Sequence, residues 1–561
     1  MAAGSAVVEE AGRGSWSVSP AEASWRRLAL WNVVTAVVAF GLAAMMAVMQ
    51  AMSRADLQLP ARTAKLYYLS VTAHGVLMAL VFTTFFIMGF GYVVAATQLG
   101  RLEWQRLGWI SYATSLFGTL LTTAAILSGK ASVLYTFYPP LQAHPAFYIG
   151  AALLIVGSWL WCAVMIRSWL AWKAREPGRP IPLAMHGMLA AVIVWCLCTV
   201  GVAAEVLLQL IPWSLGLVPK IDPVLARTLF WYFGHPLVYF WILPAYVAWY
   251  TIGPRVAGGR LFSDALARVV FVLFVLMSTP VGFHHQFSDP GIPASWKLFH
   301  AILTMCILWP SLITAFTVVA SLEIAGRLRG GKGLLGWVVR LPWNDPLLVS
   351  IVLSMLVFTL GGFGGAINAA YGMNAMIHNT AWVQGHFHLT VGTASALTFM
   401  GLTYWLLPRL TGRELKFQAF AQVQPWLWFG GMMLFSITNH ITGLMGMPRR
   451  VYDASYQGAA VAKAWAPFTA VSAAGGVILF VSAMSFCLVV FGTLLWGRRL
   501  EPSAVPAFEY SVPLEPARAG IWDRFGLWTV LAVVLILVAY AVPVAQHLAL
   551  HRYGSPPFRP F

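Results

Sequence analysis

Charge is what this 561-residue chain has least of: Asp, Glu, Lys and Arg make up 9% of it, against about a quarter of a soluble domain. So few charges cannot cover a water-facing surface, which excludes a soluble multi-domain architecture. Acids are scarcest, 18 against 35 Lys and Arg, for a formal net charge of +17. In a soluble protein that balance would point to nucleic acid. No basic cluster with interleaved aromatics is present, and in an apolar chain loop basic residues set membrane orientation instead. Cysteine is scarce too. Cys162, Cys196, Cys198, Cys306 and Cys487 lie in apolar runs without a CxxC pair, so they read as small core residues rather than thiolate metal ligands. Residues 1–24 do not read as a cleaved leader. They are small and polar with acids among them, and the first apolar run, near Leu28, is long enough to span and to be retained.

What is there is hydrophobicity, 60% of all residues. It comes in thirteen runs: 26–50, 66–97, 107–128, 146–170, 183–212, 224–252, 266–285, 297–325, 345–372, 377–407, 420–446, 465–496 and 523–548. Runs of this length predict membrane helices. The expected fold is an all-α integral membrane protein with about thirteen transmembrane helices. Residues 1–25 form a polar N-terminal extension, 26–548 a single transmembrane domain and 549–561 a C-terminal tail. The stretch 498–522, with Pro502, Pro506, Pro513 and Pro516, reads as a loop. With the N-terminus in the cytoplasm, most Lys and Arg fall in inner segments, Arg101, Lys173, Arg255 and Arg409 among them. That bias predicts a C-terminus outside.

Ionisable residues inside a membrane are costly and mark function. The chain has 13 histidines. Six fall within or at the ends of apolar runs: His74, His235, His284, His285, His386 and His388. Imidazole ligates haem iron and suits copper. One such histidine alone is more often a hydrogen-bonded core residue; six together point to metal. Successive helical residues turn by about 100°, so His386 and His388 point about 200° apart. They can hold two haems flanking one helix, with the small Gly385 letting a macrocycle approach the backbone. His74 is the best-placed second axial ligand. His235 and Tyr239, four apart, share a helix face. With His284 and His285, at a helix end after Pro280, His235 makes a three-imidazole copper site with an open position.

These residues carry a resemblance. His74, GHPLVYFW at 234–241, HHQFSDPG at 284–291 and HNTAWVQGHFH at 378–388 resemble the haem–copper oxidase catalytic subunit. A-type members carry a glutamate where this chain has Leu237. The match is closer to the B type, the ba-type cytochrome c oxidases, as is Tyr135-Thr136-Phe137-Tyr138-Pro139-Pro140.

The resemblance implies cytochrome-c oxidase activity: O2 is reduced to water at a haem–copper B centre, coupled to proton uptake and pumping, in a bacterial or archaeal cytoplasmic membrane. By it, His74 and His388 ligate a low-spin haem b, His386 a high-spin haem of a or o type, and His235, His284 and His285 copper B. Tyr239 occupies the position that in the family is joined covalently to the histidine at His235. Implied partners are a subunit II carrying the copper centre that first receives electrons, cytochrome c, O2, membrane lipid and a small single-helix subunit. Tyr246 and Tyr250 each fall within about 20° of Tyr239 on one helix face. With Ser311, Thr314 and Thr317 they resemble the hydroxyl proton path of B-type enzymes; the plainer alternative is a polar seam between helices. Arg449 and Arg450 resemble the pair that binds haem propionates, a geometry guanidinium suits, and His378 and Asn379 are expected beside it. Asn374 stands where related chains carry an aspartate. Glu205 is a proton group or a helix-pairing residue. His300 and His440, near helix ends, and His144, His186, His547 and His551, in loops or interfaces, are assigned no metal.

Two relatives compete. A nitric oxide reductase would use iron in place of copper, with nearby glutamates and generally no tyrosine. A quinol oxidase would differ only in its donor. A non-redox transporter would need neither six ligand-spaced histidines nor the arginine pair.

Overall fold

Helix starts are written in short local signals. The Ser19 hydroxyl accepts from the Glu22 amide at 3.2 Å and Pro20 opens the helix, where no amide is needed. Asp222 before Pro223 and Asp345 before Pro346 repeat the device. Asp345 accepts from the Leu347 and Leu348 amides at 2.9 and 3.0 Å. The computed structural model describes residues 19–57, 63–550 and 554–561. Most of the expected N-terminal extension (residues 1–18), and His551 in the tail, lie outside the described residues.

Among the described residues there are helices and isolated loop bridges but no sheet. Helical rods lie in every apolar run: α1 (Pro20–Arg54), α2 (Ala64–Gln98), α3 (Gln105–Leu127), α4 (Pro145–Arg175), α5 (Leu183–Ser214), α6 (Pro223–Thr251), α7 (Asp264–Met277), α8 (Ala294–Leu328), α9 (Pro346–Ala369), α10 (381–411), α11 (Gln418–Leu444), α12 (Ala460–Trp496) and α13 (Phe525–Ala549). Nine of them, among the described residues, are long and apolar enough to cross a membrane. The others are α6, α7, α10 and α11. Of these α7 has 14 residues, short of the ~20 a span needs.

Two runs are broken where a single helix is expected. The run 266–285 ends as helix at Met277, and His284 and His285 sit on a separate 3-10 turn, Gly282–Gln286, after Pro280. The run 377–407 begins as helix only at Ala381. Before it, Asn379 takes a left-handed φ of 59°, and the Thr380 hydroxyl accepts from the Trp382 amide at 3.3 Å. Asn tolerates that backbone and Thr caps helices, so His378 and Asn379 belong to the connection.

Rods approach closely through glycine. A Cβ on Gly431 of α11 would lie 2.9 Å from the Gly475 carbonyl of α12. Backbone contact through small residues is the usual means of helix packing in lipid. Three rods carry a π-helical stretch: Val76–Phe82 in α2, Val206–Leu210 in α5 and Thr390–Ser395 in α10. Such stretches concentrate at functional sites. Two start two residues after His74 and His388; the third starts directly after Glu205.

Contacts at the rod ends sort the termini. Trp109, near the start of α3, donates to Ser24 at 3.3 Å, so α1 and α3 begin at one end of the bundle. The connection beyond the far end of α3 bridges to the tail, Leu141 to Phe558, and Ile221 bridges to Ser555. The start of α1 and the C-terminal tail therefore lie at opposite ends.

Candidate functional site

His74 and His388 come from α2 and α10 and face each other. His74 Nδ1 lies 3.1 Å from the Ala43 carbonyl of α1, and His388 Nδ1 lies 2.8 Å from the Gln384 carbonyl. A carbonyl only accepts, so each Nδ1 carries the proton and each Nε2 keeps its lone pair. The rings are nearly parallel, 5° apart, with centroids separated by 6.3 Å. One ion between two imidazoles needs that spacing: about 2.0 Å per bond and about 1.1 Å from each nitrogen to its ring centre.

His386 turns to the other side of α10. Its Nδ1 lies 2.8 Å from the Gly361 carbonyl of α9. A Cβ on Gly365 would lie 2.7 Å from His386 Cε1, so glycine there keeps the ring in place. Gly385 behaves otherwise than expected. A Cβ on it would lie 2.7 Å from His440 Nδ1 and 2.9 Å from the Ser436 carbonyl. The glycine admits α11 on the side its Cβ would occupy.

His235, His284 and His285 converge, each offering a ring nitrogen, with these atoms all within 4.8 Å of one another. His235 Nδ1 and His285 Nε2 are 3.1 Å apart, close to the ~3.3 Å between two nitrogens sharing a tetrahedral ion. His284 Nδ1 is engaged by Thr304 Oγ1 at 2.8 Å, and His285 stacks on Trp231 at 3.7 Å between centroids. The Tyr239 ring lies 5.0 Å from that of His235, whose Nε2 is buried without a hydrogen-bond partner.

Below this cluster, Tyr246 donates to Ser311 at 3.1 Å and Tyr250 to Thr314 at 2.7 Å. Thr317 donates to the Ile313 carbonyl of its own helix at 2.8 Å. At the opposite end, Ala381 donates to the Met447 carbonyl at 2.8 Å and ties the start of α10 to the loop after α11. There Arg449 donates to Asn379 Oδ1 at 3.0 Å, and Arg450 lies 5.0 Å above the Tyr135 ring. Burial and the neighbouring Arg450 pull Arg449 down to about 10, which leaves it charged at neutral pH. Burial and then the Arg449 cation hold His378 below the usual histidine range. Asn374 donates to the Asn368 carbonyl at 2.6 Å.

One cavity of about 660 Å3 touches all six histidines, Tyr239, Tyr246, Ser311, Thr314, His378, Asn379, Arg449 and Arg450. Tyr250 and Thr317 are not on its wall. Sequence reasoning missed Arg227 and Arg54, which also line it. Arg227 pairs with Asp289 at 2.8 Å and lies 4.7 Å from the Tyr138 ring; the acid in HHQFSDPG was the available signal. Glu205 is fully buried with both carboxyl oxygens unpartnered among the described residues, so it pairs no helices. His186 and His547 are buried on helices rather than in loops. The donor set fits iron and copper: two parallel imidazoles 6.3 Å apart, one imidazole beside a glycine-kept recess, three converging imidazoles, and guanidinium groups matched to carboxylates at one end.

The chain is similar to known proteins along most of its length. Residues 27–478 match the family model described as Cytochrome C and Quinol oxidase polypeptide I. Cytochrome c oxidase subunit 1 of Thermus thermophilus is 44% identical over 490 residues, covering 86% of each chain. The same-named subunit of Synechocystis is 26% identical over 484 residues, covering 83% of each. A solved haem–copper terminal oxidase dimer matches with a TM-score of 0.90 at 36% identity, over 96% of this chain and 95% of that one.

Proposed function

Because the chain belongs to the haem–copper oxidase subunit I family, we propose that it is the catalytic subunit of a B-type terminal respiratory oxidase. It reduces O2 to water with electrons from cytochrome c. The observation that carries this reading is the convergence of His235, His284 and His285 on the cavity that His386 also lines, with the Tyr239 ring 5.0 Å from His235.

In this reading His74 and His388 hold low-spin haem b, His386 holds a high-spin haem of a or o type, and His235, His284 and His285 hold copper B. When bound, these groups supply the electron relay and the O2 chemistry that side chains cannot. The chain's own residues place those groups and move protons. Tyr239 presents a phenol that can yield a proton and an electron beside the three-histidine cluster. Tyr246, Ser311, Tyr250 and Thr314 pass protons toward it by exchanging hydroxyl hydrogen bonds, and Thr317 continues the row. Arg449, Arg450 and Arg227, with His378 and Asn379, hold carboxylates at the outer end. With Asn374 an amide, His378 is the chain's own group at that end that would take up a pumped proton.

Electrons arrive from a subunit II bearing its own copper centre, and a small single-helix subunit and lipid complete the complex. The chain sits in a bacterial or archaeal cytoplasmic membrane with its N-terminus inside and its C-terminus outside, in keeping with termini at opposite ends of the bundle. Haem extraction with metal quantification on the purified complex tests the reading. Two haems and one copper beyond that of subunit II are expected; a non-haem iron in place of that copper would make the chain a nitric oxide reductase. O2 uptake with reduced cytochrome c against quinol assigns the donor, and activity with quinol alone would overturn the cytochrome c assignment.

A further inference from the structure

His300 lies outside the three-histidine cluster, yet it is completely buried in α8. Both its ring nitrogens are engaged. The Phe283 amide donates to Nδ1 at 3.2 Å, and Nε2 lies 3.2 Å from the Ala539 carbonyl of α13. An amide N–H only donates and a carbonyl only accepts, so Nδ1 holds the lone pair and Nε2 the proton. His300 is fixed as one neutral tautomer by its neighbours.

One turn further on, the Thr304 hydroxyl donates to the His300 carbonyl at 2.6 Å. Its only proton is committed there, so toward His284 Nδ1, 2.8 Å away, Thr304 can only accept. His284 Nδ1 therefore carries a proton, and Nε2 is the nitrogen left for an ion. The bonds form one connected set from Ala539 through His300 and Thr304 to Phe283 and His284, with every direction forced.

The segment that needs this support is short. Gly282–Gln286 is a single 3-10 turn, with no long helical ladder to hold its two histidines. Side chains anchor it instead. Tyr540 accepts from the Gly282 amide at 3.0 Å, His300 takes the next amide, and Thr304 takes the His284 ring. Phe283 packs on His300 with centroids 4.3 Å apart.

We propose that His300 and Thr304 are positioning residues that set the tautomer and orientation of His284, and so determine how tightly the three-histidine cluster holds copper. The proposal rests on reading that cluster as the copper B site. Residues that orient a ligating histidine typically contribute about 10- to 100-fold in metal affinity.

Paired variants separate hydrogen bonding from shape. Thr304→Val keeps the volume and loses the oxygen; Thr304→Ser keeps the oxygen. His300→Phe keeps a ring against Phe283 and loses both nitrogens. Each purified complex is titrated with a cuprous chelator, and copper beyond that of subunit II is measured per haem iron. The low-spin haem spectrum, which reports His74 and His388, certifies folding. Thr304→Val and His300→Phe should release copper at about 10- to 100-fold lower chelator concentration than the parent, with Thr304→Ser at the parent value. Parental copper retention in Thr304→Val, or equal loss in Thr304→Ser, overturns the proposal. If one disruptive variant fails to assemble, the other decides. A parent complex with no copper beyond that of subunit II refutes the copper reading itself, before any chelator is added.

Discussion

Replacing Gly365 by alanine adds one methyl group at a confined point of the site. The new Cβ would lie 2.7 Å from His386 Cε1 and 3.3 Å from its Nε2. Relaxed carbon contacts are about 3.5–4.0 Å, so the ring or α9 must yield by roughly 1 Å. The ring can yield only by straining its 2.8 Å bond to the Gly361 carbonyl. Overpacking costs about 1–3 kcal/mol, and alanine returns about 1 kcal/mol over glycine within a helix. The net cost leaves the fold intact. Function is more sensitive, since a displacement of about 1 Å at a reacting centre can cost roughly 100-fold. Gly365→Ala should therefore lower O2 uptake by about 100-fold and diminish the CO-binding haem spectrum, while the low-spin haem spectrum persists. Gly430→Ala, where nothing lies within 4 Å of the added Cβ, is the control. Parental turnover with an intact CO spectrum in Gly365→Ala, or loss of both haem signals together, would refute the steric argument.

Tyr239→Phe keeps the ring beside Phe274, 5.2 Å away, and removes only the hydroxyl. Turnover should fall at least 100-fold, as for loss of a proton-transfer group, with haem and copper contents unchanged. His388→Leu should lose the low-spin haem and keep copper, because the three-histidine cluster is separate; pyridine extraction and metal analysis check this. Tyr250→Phe deletes the 2.7 Å bond to Thr314, which should cost about 0.5–1.5 kcal/mol of stability and slow turnover without altering the haem spectra. Protons counted per electron in sealed vesicles should exceed scalar uptake; scalar uptake alone would remove pumping from the reading.

The sequence by itself determined the membrane class, through a shortage of charge that no soluble surface could tolerate, and it made the six histidines conspicuous because imidazole is costly in lipid. Helical period also says which residues share a face, as with Tyr246 and Tyr250. Period does not say what a face meets. Gly385 stands directly before a candidate ligand, yet it admits His440 and α11; only the packing of α10 against α11 decides that. His300 looked like a spare histidine at a helix end, and its partners lie 17 residues back, at Phe283, and 239 ahead, at Ala539. Arg227 meets Asp289 across 62 positions for the same reason. Composition and ligand chemistry are properties of residues and can be read one at a time. Hydrogen-bond direction, ring spacing and steric room are properties of pairs brought together by the bundle, and they exist only once it has folded.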